Sequence, residues 1–247
     1  MSKVLVTGSA GRIGRAVVAE LRRRNHWVRG FDRCSPGEVD DAVVGSITDR
    51  AAVDRATAGM DVLVHLAATP DDADFLTELL PNNIVGVYHV MESARLAGIG
   101  RFVLASSGQV NWWQQRGGRI PVRPSDPTSP RSWYAAGKMF LESIGRGFSE
   151  THGISVISAR LGWCPRDRGQ VAEIEAEAWA QEVYLSPGDA GRFFACAVEA
   201  PETVRHLVVY GSGRAKRTPP FDMTEAKELL GYEPVDTWPE GLPDFGG

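Results

Sequence analysis

The 247-residue sequence is poor in the residues that make staples, metal cages and membrane spans. Its three cysteines, Cys34, Cys164 and Cys196, lie far apart, with no CxxC pair and no Cys/His cluster at ligand spacing. Neither a disulfide framework nor a zinc site is expected. No stretch approaches the roughly 18 apolar residues of a membrane span. The opening MSKVLVTG has an apolar run of only three residues before Thr7, too short for a signal peptide. A basic surplus is missing as well. The 27 Lys+Arg against 31 Asp+Glu leave a net charge of −4, which argues against nucleic acid or an anionic membrane as partner. With no internal repeat and no low-complexity segment, the length fits one domain, or one with a small appendage. A reduced, cytoplasmic protein is expected.

Apolar residues make up 43% and charged residues 23%, enough for a sizeable core. Short apolar runs alternate with helical patterns over the first 160 residues. Strands are expected at 3–7, 27–31, 43–44, 61–66, 101–106, 154–159 and 205–210. Helices are expected at 12–24, where Ile13, Val17, Val18 and Leu21 share a face, and at 82–97, 132–150, 171–182 and 187–199. Residues 107–131 read as loop, and the four prolines of 121–130 exclude a helix there. Nearly continuous apolar strands alternating with helices predict an α/β fold, a doubly wound parallel sheet covered on both faces. Its core would span 1–161, with a small, interleaved substrate lobe at 162–247.

The run TGSAGRIG, residues 7–14, joins the first strand to the first helix. A pyrophosphate suits a helix N-terminus, where N–H groups and the positive dipole end meet it. Glycine has a separate reason at the turn, at the phosphate and at the helix–strand contact, so Gly8, Gly11 and Gly14 point to a dinucleotide cradle. Asp32 ends the second strand 18 residues after Gly14. An acid there accepts hydrogen bonds from the adenosine ribose and repels a 2′-phosphate, which favours NAD. Arg33 beside it leaves NADP open.

Tyr134 and Lys138 stand one helical turn apart on one face. A phenol titrating near 10 is a poor base at neutral pH, and a neighbouring ammonium favours its anion. Ser107 ends the fifth strand, at the carboxyl edge where cofactor and substrate meet. His65, inside a strand, reads as a satisfied core histidine. Cys164 has no neighbouring charge that would make it a reactive thiolate. Trp112, Trp113, Trp133 and Trp163 fall in loops bordering the carboxyl edge, where aromatic faces can pack on sugar C–H surfaces or on the second lobe.

TGSAGRIG, Asp32, VHLAA at 64–68, NNIVG at 82–86, LASS at 104–107, YAAGK at 134–138, RLG at 160–162 and LLGYEP at 229–234 together resemble the extended short-chain dehydrogenase/reductase family. This is the group of NAD-dependent epimerases and dehydratases. The likeness spans nearly the whole chain. It implies Ser107, Tyr134 and Lys138 as the catalytic set. Gly8, Gly11, Arg12, Ile13 and Gly14 would hold the diphosphate, with Asp32 and Arg33 at the ribose. Ser46 and Ile47 would lie at the adenine, Ser46 standing where relatives commonly carry an aspartate. Leu66, Ala67, Ala68 and Asn83 would line the cofactor, and Tyr134 and Lys138 would reach its nicotinamide ribose. Within the family the chain resembles the small uronate dehydrogenases. That likeness implies substrate contacts at Thr69, Ser107, Gly108, Gln109, Trp163, Arg166 and Arg168, with Gly108-Gln109 replacing the Asn-His of those enzymes. No metal is expected, and family analogy suggests a homodimer.

The function these features imply is an NAD-dependent oxidoreductase acting on a hydroxyl of a small sugar or sugar acid. Two other readings stay open: an epimerase or dehydratase that retains its NAD, and a non-catalytic dinucleotide-binding sensor. The roughly 85 residues after Gly162 favour a small substrate over a nucleotide-sugar, which needs a larger lobe to cover it.

Overall fold

The computed structural model describes residues 1–118 and 120–245. Arg119, inside the expected loop, and Gly246 and Gly247, at the end of the expected lobe, lie outside them. Seven strands, β1 (Lys3–Thr7), β2 (Trp27–Asp32), β3 (Asp41–Val44), β4 (Val62–His65), β5 (Arg101–Ser107), β6 (Ser155–Leu161) and β7 (His206–Gly211), form one sheet. Their order is β3-β2-β1-β4-β5-β6-β7 and every pairing is parallel. The helices are α1 (Arg12–Arg23), α2 (Arg50–Thr57), α3 (Gly86–Leu96), α4 (Trp112–Arg116), α5 (Trp133–His152), α6 (Arg168–Ala176), α7 (Ala178–Glu182), α8 (Pro187–Val198) and α9 (Thr224–Leu230).

Side-chain alternation along the strands divides the core in two. Val4 and Val6 of β1 join Val17, Val18 and Leu21 of α1 and Phe193 and Phe194 of α8 on one face. Leu5 points the other way, to Phe31, Val53, Met91, Phe102 and Leu141, under α2, α3 and α5. Burying each such side chain contributes about 1.5–3 kcal/mol, so both faces must be covered for the sheet to be stable. Gly191 lets α8 lie close on α1, since a Cβ there would come within 2.7 Å of the Ala16 carbonyl oxygen. The chain after Gly162 therefore adds β7 to the sheet and α8 to its cover.

Several expectations are corrected. The helix expected over 82–97 begins as a wide helical turn over Phe75–Val85 and tightens into α3 only at Gly86. Pro81 lies within the wide turn, where a proline has no N–H for the ladder and its ring crowds the preceding turn. The helix expected over 171–182 is cut at Glu177, whose extended backbone (φ −121°, ψ 114°) closes α6 and opens α7. The expected loop after residue 107 holds a helical turn, Gly108–Asn111, and then α4. Asp49 caps α2, which sequence reading did not single out, by accepting from the N–H groups of Ala51 and Ala52.

The register brings strand ends level: Thr7 stands opposite Phe31 and His65, and Ser107 opposite Leu161. From β1 the chain runs first to β2 and β3 on one side, then to β4 and beyond on the other. A crevice opens outside the carboxyl ends at such a reversal, and there the candidate site lies.

Candidate functional site

A cavity of about 820 Å³ runs along the carboxyl edge of the sheet. At its first end Gly8 turns the chain out of β1 with φ +73°, and a Cβ on it would sit 2.7 Å from the Ala67 nitrogen. At Gly14 a Cβ would lie 2.1 Å from the Gly8 carbonyl oxygen, so only glycine lets α1 start this close to the strand. Gly11 caps α1 with no side-chain hydrogen bond. The first-turn N–H groups, which have no partner inside a helix, therefore meet the cavity with the positive dipole end behind them. The Asp32 carboxylate accepts from the Ala10 N–H at 2.9 Å and the Cys34 N–H at 3.3 Å, joining β2 to the glycine turn. A carboxylate has about four lone-pair sites, which leaves capacity for ribose hydroxyls. Arg33, Ser46 and Ile47 line the same end. Both the glycine cradle and the acid fit a dinucleotide.

The far end is built by β5 and α5. Ser132 starts α5 by accepting from the Ala135 N–H at 3.2 Å, and so places Tyr134 and Lys138 over the ends of β4 and β5. Lys138 is buried and donates from Nζ to the Ala105 carbonyl at 2.8 Å. Burial draws its pKa down to about 8. The ammonium lies 5.5 Å from the centroid of the Tyr134 ring. Beneath them His65 is buried, bonded to the Thr7 hydroxyl at 2.8 Å, with its pKa lowered to about 3 by burial and by the Lys138 charge. His65 is thus a neutral core residue.

Tyr134 has its pKa raised to about 12, first by burial and then by the Asp71 carboxylate; Ser107, through a hydrogen bond, and Arg166 pull it down. Ser107 and Arg166 are the groups that draw it down, while the Lys138 ammonium stands by the ring and donates to the Ala105 carbonyl.

Around this end stand Thr69, Asp71, Gly108, Gln109, Trp112, Arg131, Trp163, Arg166, Gln170, Glu173 and Trp179. Two expected residues are elsewhere. Asn83 is buried with both amide atoms on the Thr69 backbone, accepting from its N–H at 2.8 Å and donating to its carbonyl at 3.0 Å. Its neighbour Asn82 faces the cavity instead. Arg168 opens α6 and lines a separate groove with Arg12, Arg15 and Phe245. Of the four tryptophans singled out, Trp112 and Trp163 line the cavity, whereas Trp113 and Trp133 are 60% and 64% exposed. Sequence reading missed Trp179, 5.8 Å from Trp112 edge to face. It also missed Asp71, in the left-handed region (φ 66°) just beyond β4. Its one sequence signal is its place right after Pro70, in a loop leaving the carboxyl edge. Burial pushes the Cys164 thiol up to about 12, so it is inert as a nucleophile.

A doubly wound parallel sheet with a glycine cradle at its reversal point defines a dinucleotide-binding protein of the Rossmann type. The chain belongs to the NAD dependent epimerase/dehydratase family, whose model matches residues 4–163. It is 32% identical over 254 residues to the L-arabinose 1-dehydrogenase (NAD(P)(+)) of Haloferax volcanii, covering 96% of this chain and 97% of the relative. Identity is 30% over 243 residues to the uronate dehydrogenase of Pseudomonas syringae pv. tomato, covering 96% of this chain and 82% of the relative. Among solved structures, a uronate dehydrogenase variant from Agrobacterium tumefaciens complexed with NAD superposes with a TM-score of 0.80 at 25% identity, covering 96% of this chain and 85% of that one. The glucuronic acid dehydrogenase from Chromohalobacter salexigens superposes with a TM-score of 0.81 at 26% identity, covering 100% and 90%.

Proposed function

We propose that the protein is an NAD-dependent dehydrogenase that oxidises a hydroxyl of a small sugar or sugar acid. One observation carries this reading: a single cavity has the glycine cradle and Asp32 at one end and Ser107, Tyr134 and Lys138 at the other. Kinship with sugar and sugar-acid dehydrogenases over nearly the full chain supports it.

In this reading Gly8, Gly11, Arg12, Ile13 and Gly14 hold the diphosphate, Asp32 the adenosine ribose, Ser46 and Ile47 the adenine edge, and Leu66, Ala67 and Ala68 the floor. When bound, the cofactor would supply a hydride acceptor. Tyr134, as phenolate, takes the hydroxyl proton of the sugar while the C–H bond gives up its hydrogen with both electrons, leaving a carbonyl. Ser107 donates a hydrogen bond to the reacting oxygen, and Lys138 supplies the cation that offsets charge at the phenol. Thr69, Gly108, Gln109, Trp163 and Arg166 shape the substrate end. The proposal includes a cytoplasmic location and, by family analogy, a homodimer through α3 and α5, where Tyr88, Leu96 and Phe140 are exposed. Among the described residues no helix is long and apolar enough to cross a membrane.

The test is NADH formation by purified protein and NAD over a panel of aldoses and hexuronates. One NADH for each sugar oxidised is expected. Tightly kept NAD with an isomerised sugar and no net NADH would favour an epimerase instead.

A further inference from the structure

Asp71 and Arg166 reach each other across the substrate end from distant parts of the chain. One guanidinium nitrogen of Arg166 lies 3.3 Å from an Asp71 oxygen, and the other Asp71 oxygen faces the Gln109 amide nitrogen at 3.4 Å. The carboxylate is near enough to the Tyr134 phenol to act on its protonation. A second carboxylate, Glu173 of α6, lines the same end. Of the other cations at this end, Lys138 donates to the Ala105 carbonyl at 2.8 Å and Arg131 lies over the Trp112 ring, 3.9 Å from its centroid.

We infer that the substrate is an uncharged sugar, and that Asp71 selects it by accepting from its hydroxyl groups and by excluding a carboxylate. The inference rests on the dehydrogenase reading above and narrows it. A neutral sugar presents O–H donors, which a carboxylate receives well, and C–H surfaces, on which the aromatic rings lining the cavity, Trp112, Trp163 and Trp179, can pack. A hexuronate brings a second anion beside Asp71. It must either share Arg166 or leave Asp71 unpaired, and like charges brought together at a recognition site count against the wrong partner. Gln109 supports this choice, because an amide can donate and accept without adding charge.

Pairs of sugars that differ only at C6, galactose with galacturonate and glucose with glucuronate, test the inference through kcat/KM for NADH formation. The wild-type protein should favour the neutral member by roughly tenfold or more, the size of one unfavourable charge contact. Asp71→Asn keeps shape and accepts the left-handed backbone, and it should narrow that ratio by roughly the same factor. Preference for the hexuronate in the wild type overturns the inference and leaves the dehydrogenase reading standing. A ratio that Asp71→Asn does not move removes Asp71 as its cause. No NADH from either member of the pairs or from any aldose or hexuronate of the panel, with NAD still raising thermal stability, overturns the inference together with the reading beneath it.

Discussion

Glu142 and Arg160 form a two-pronged ion pair in the interior. Arg160 Nη2 lies 2.8 Å from Glu142 Oε2 and its Nε 2.9 Å from Oε1, with the two side chains 4% and 9% exposed. Ser106 donates to the same carboxylate at 2.5 Å, and Arg160 also donates to Asn111 Oδ1 at 2.8 Å, where the Tyr210 hydroxyl meets it at 2.8 Å. Glu142 sits one turn beyond Lys138, and Ser106 precedes Ser107. The pair therefore links α5 to β5 and β6 directly beneath the residues proposed to act on substrate. Replacing one partner, as in Glu142→Gln or Arg160→Met, leaves the other charge buried and uncompensated. Such a change should lower unfolding free energy by about 3–5 kcal/mol, read from urea denaturation.

Gly14→Ala puts a methyl group where the Gly8 carbonyl oxygen stands. The start of α1 must then move away from the glycine turn. NAD affinity, measured by calorimetric titration, should fall by at least tenfold, and stability should fall by about 1–3 kcal/mol from overpacking. Gly147→Ala, in α5, offers the control, since nothing lies within 4 Å of a Cβ there and its backbone is helical, and it should leave NAD affinity intact.

The proton must leave Tyr134 before that residue can act as a base. Its pKa, raised to about 12 by burial and Asp71, makes the deprotonated form scarce at neutral pH. Oxidation should therefore quicken as pH rises through the alkaline range. Asp71→Asn removes the neighbouring negative charge, so the rising limb of the kcat profile should shift to lower pH. A limb that stays in place would show that another group sets it.

The buried His65 makes the fold sensitive to acid. Its pKa is about 3 in the folded chain against an ordinary 6.5, so between those values the unfolded chain binds a proton that the folded chain refuses. The contribution is whole above 6.5 and is lost as pH falls toward 3. His65→Gln should flatten the loss of stability between neutral pH and about pH 4, measured by denaturant titration at each pH.

The sheet was legible in the sequence because its inner strands are covered on both faces and so read as apolar runs between helical patterns, whereas the edge strand β3, with alternate residues exposed, shows only as Val43-Val44. The cradle was legible because Gly8, Gly11, Gly14 and Asp32 fall at fixed offsets within one strand-turn-helix unit. Pro81 and Glu177 show what local periodicity misses: a wide turn that absorbs a proline and a break made by a single extended residue. Asn83 carried the right side-chain chemistry but is turned onto the Thr69 backbone, an orientation that spacing does not reveal. Asp71 was hidden for a different reason. Its partner Arg166 is 95 residues away, and only the folded chain brings the two together.

The most direct test of the account is Tyr134→Phe, which removes one oxygen from a packed ring. NADH formation with the best substrate of the panel should drop by at least a hundredfold, about the least that a positioned acid–base group contributes. NAD affinity, measured on the same preparation, should stay close to that of the wild type. Retained NADH formation in Tyr134→Phe, with NAD still bound, would contradict the account.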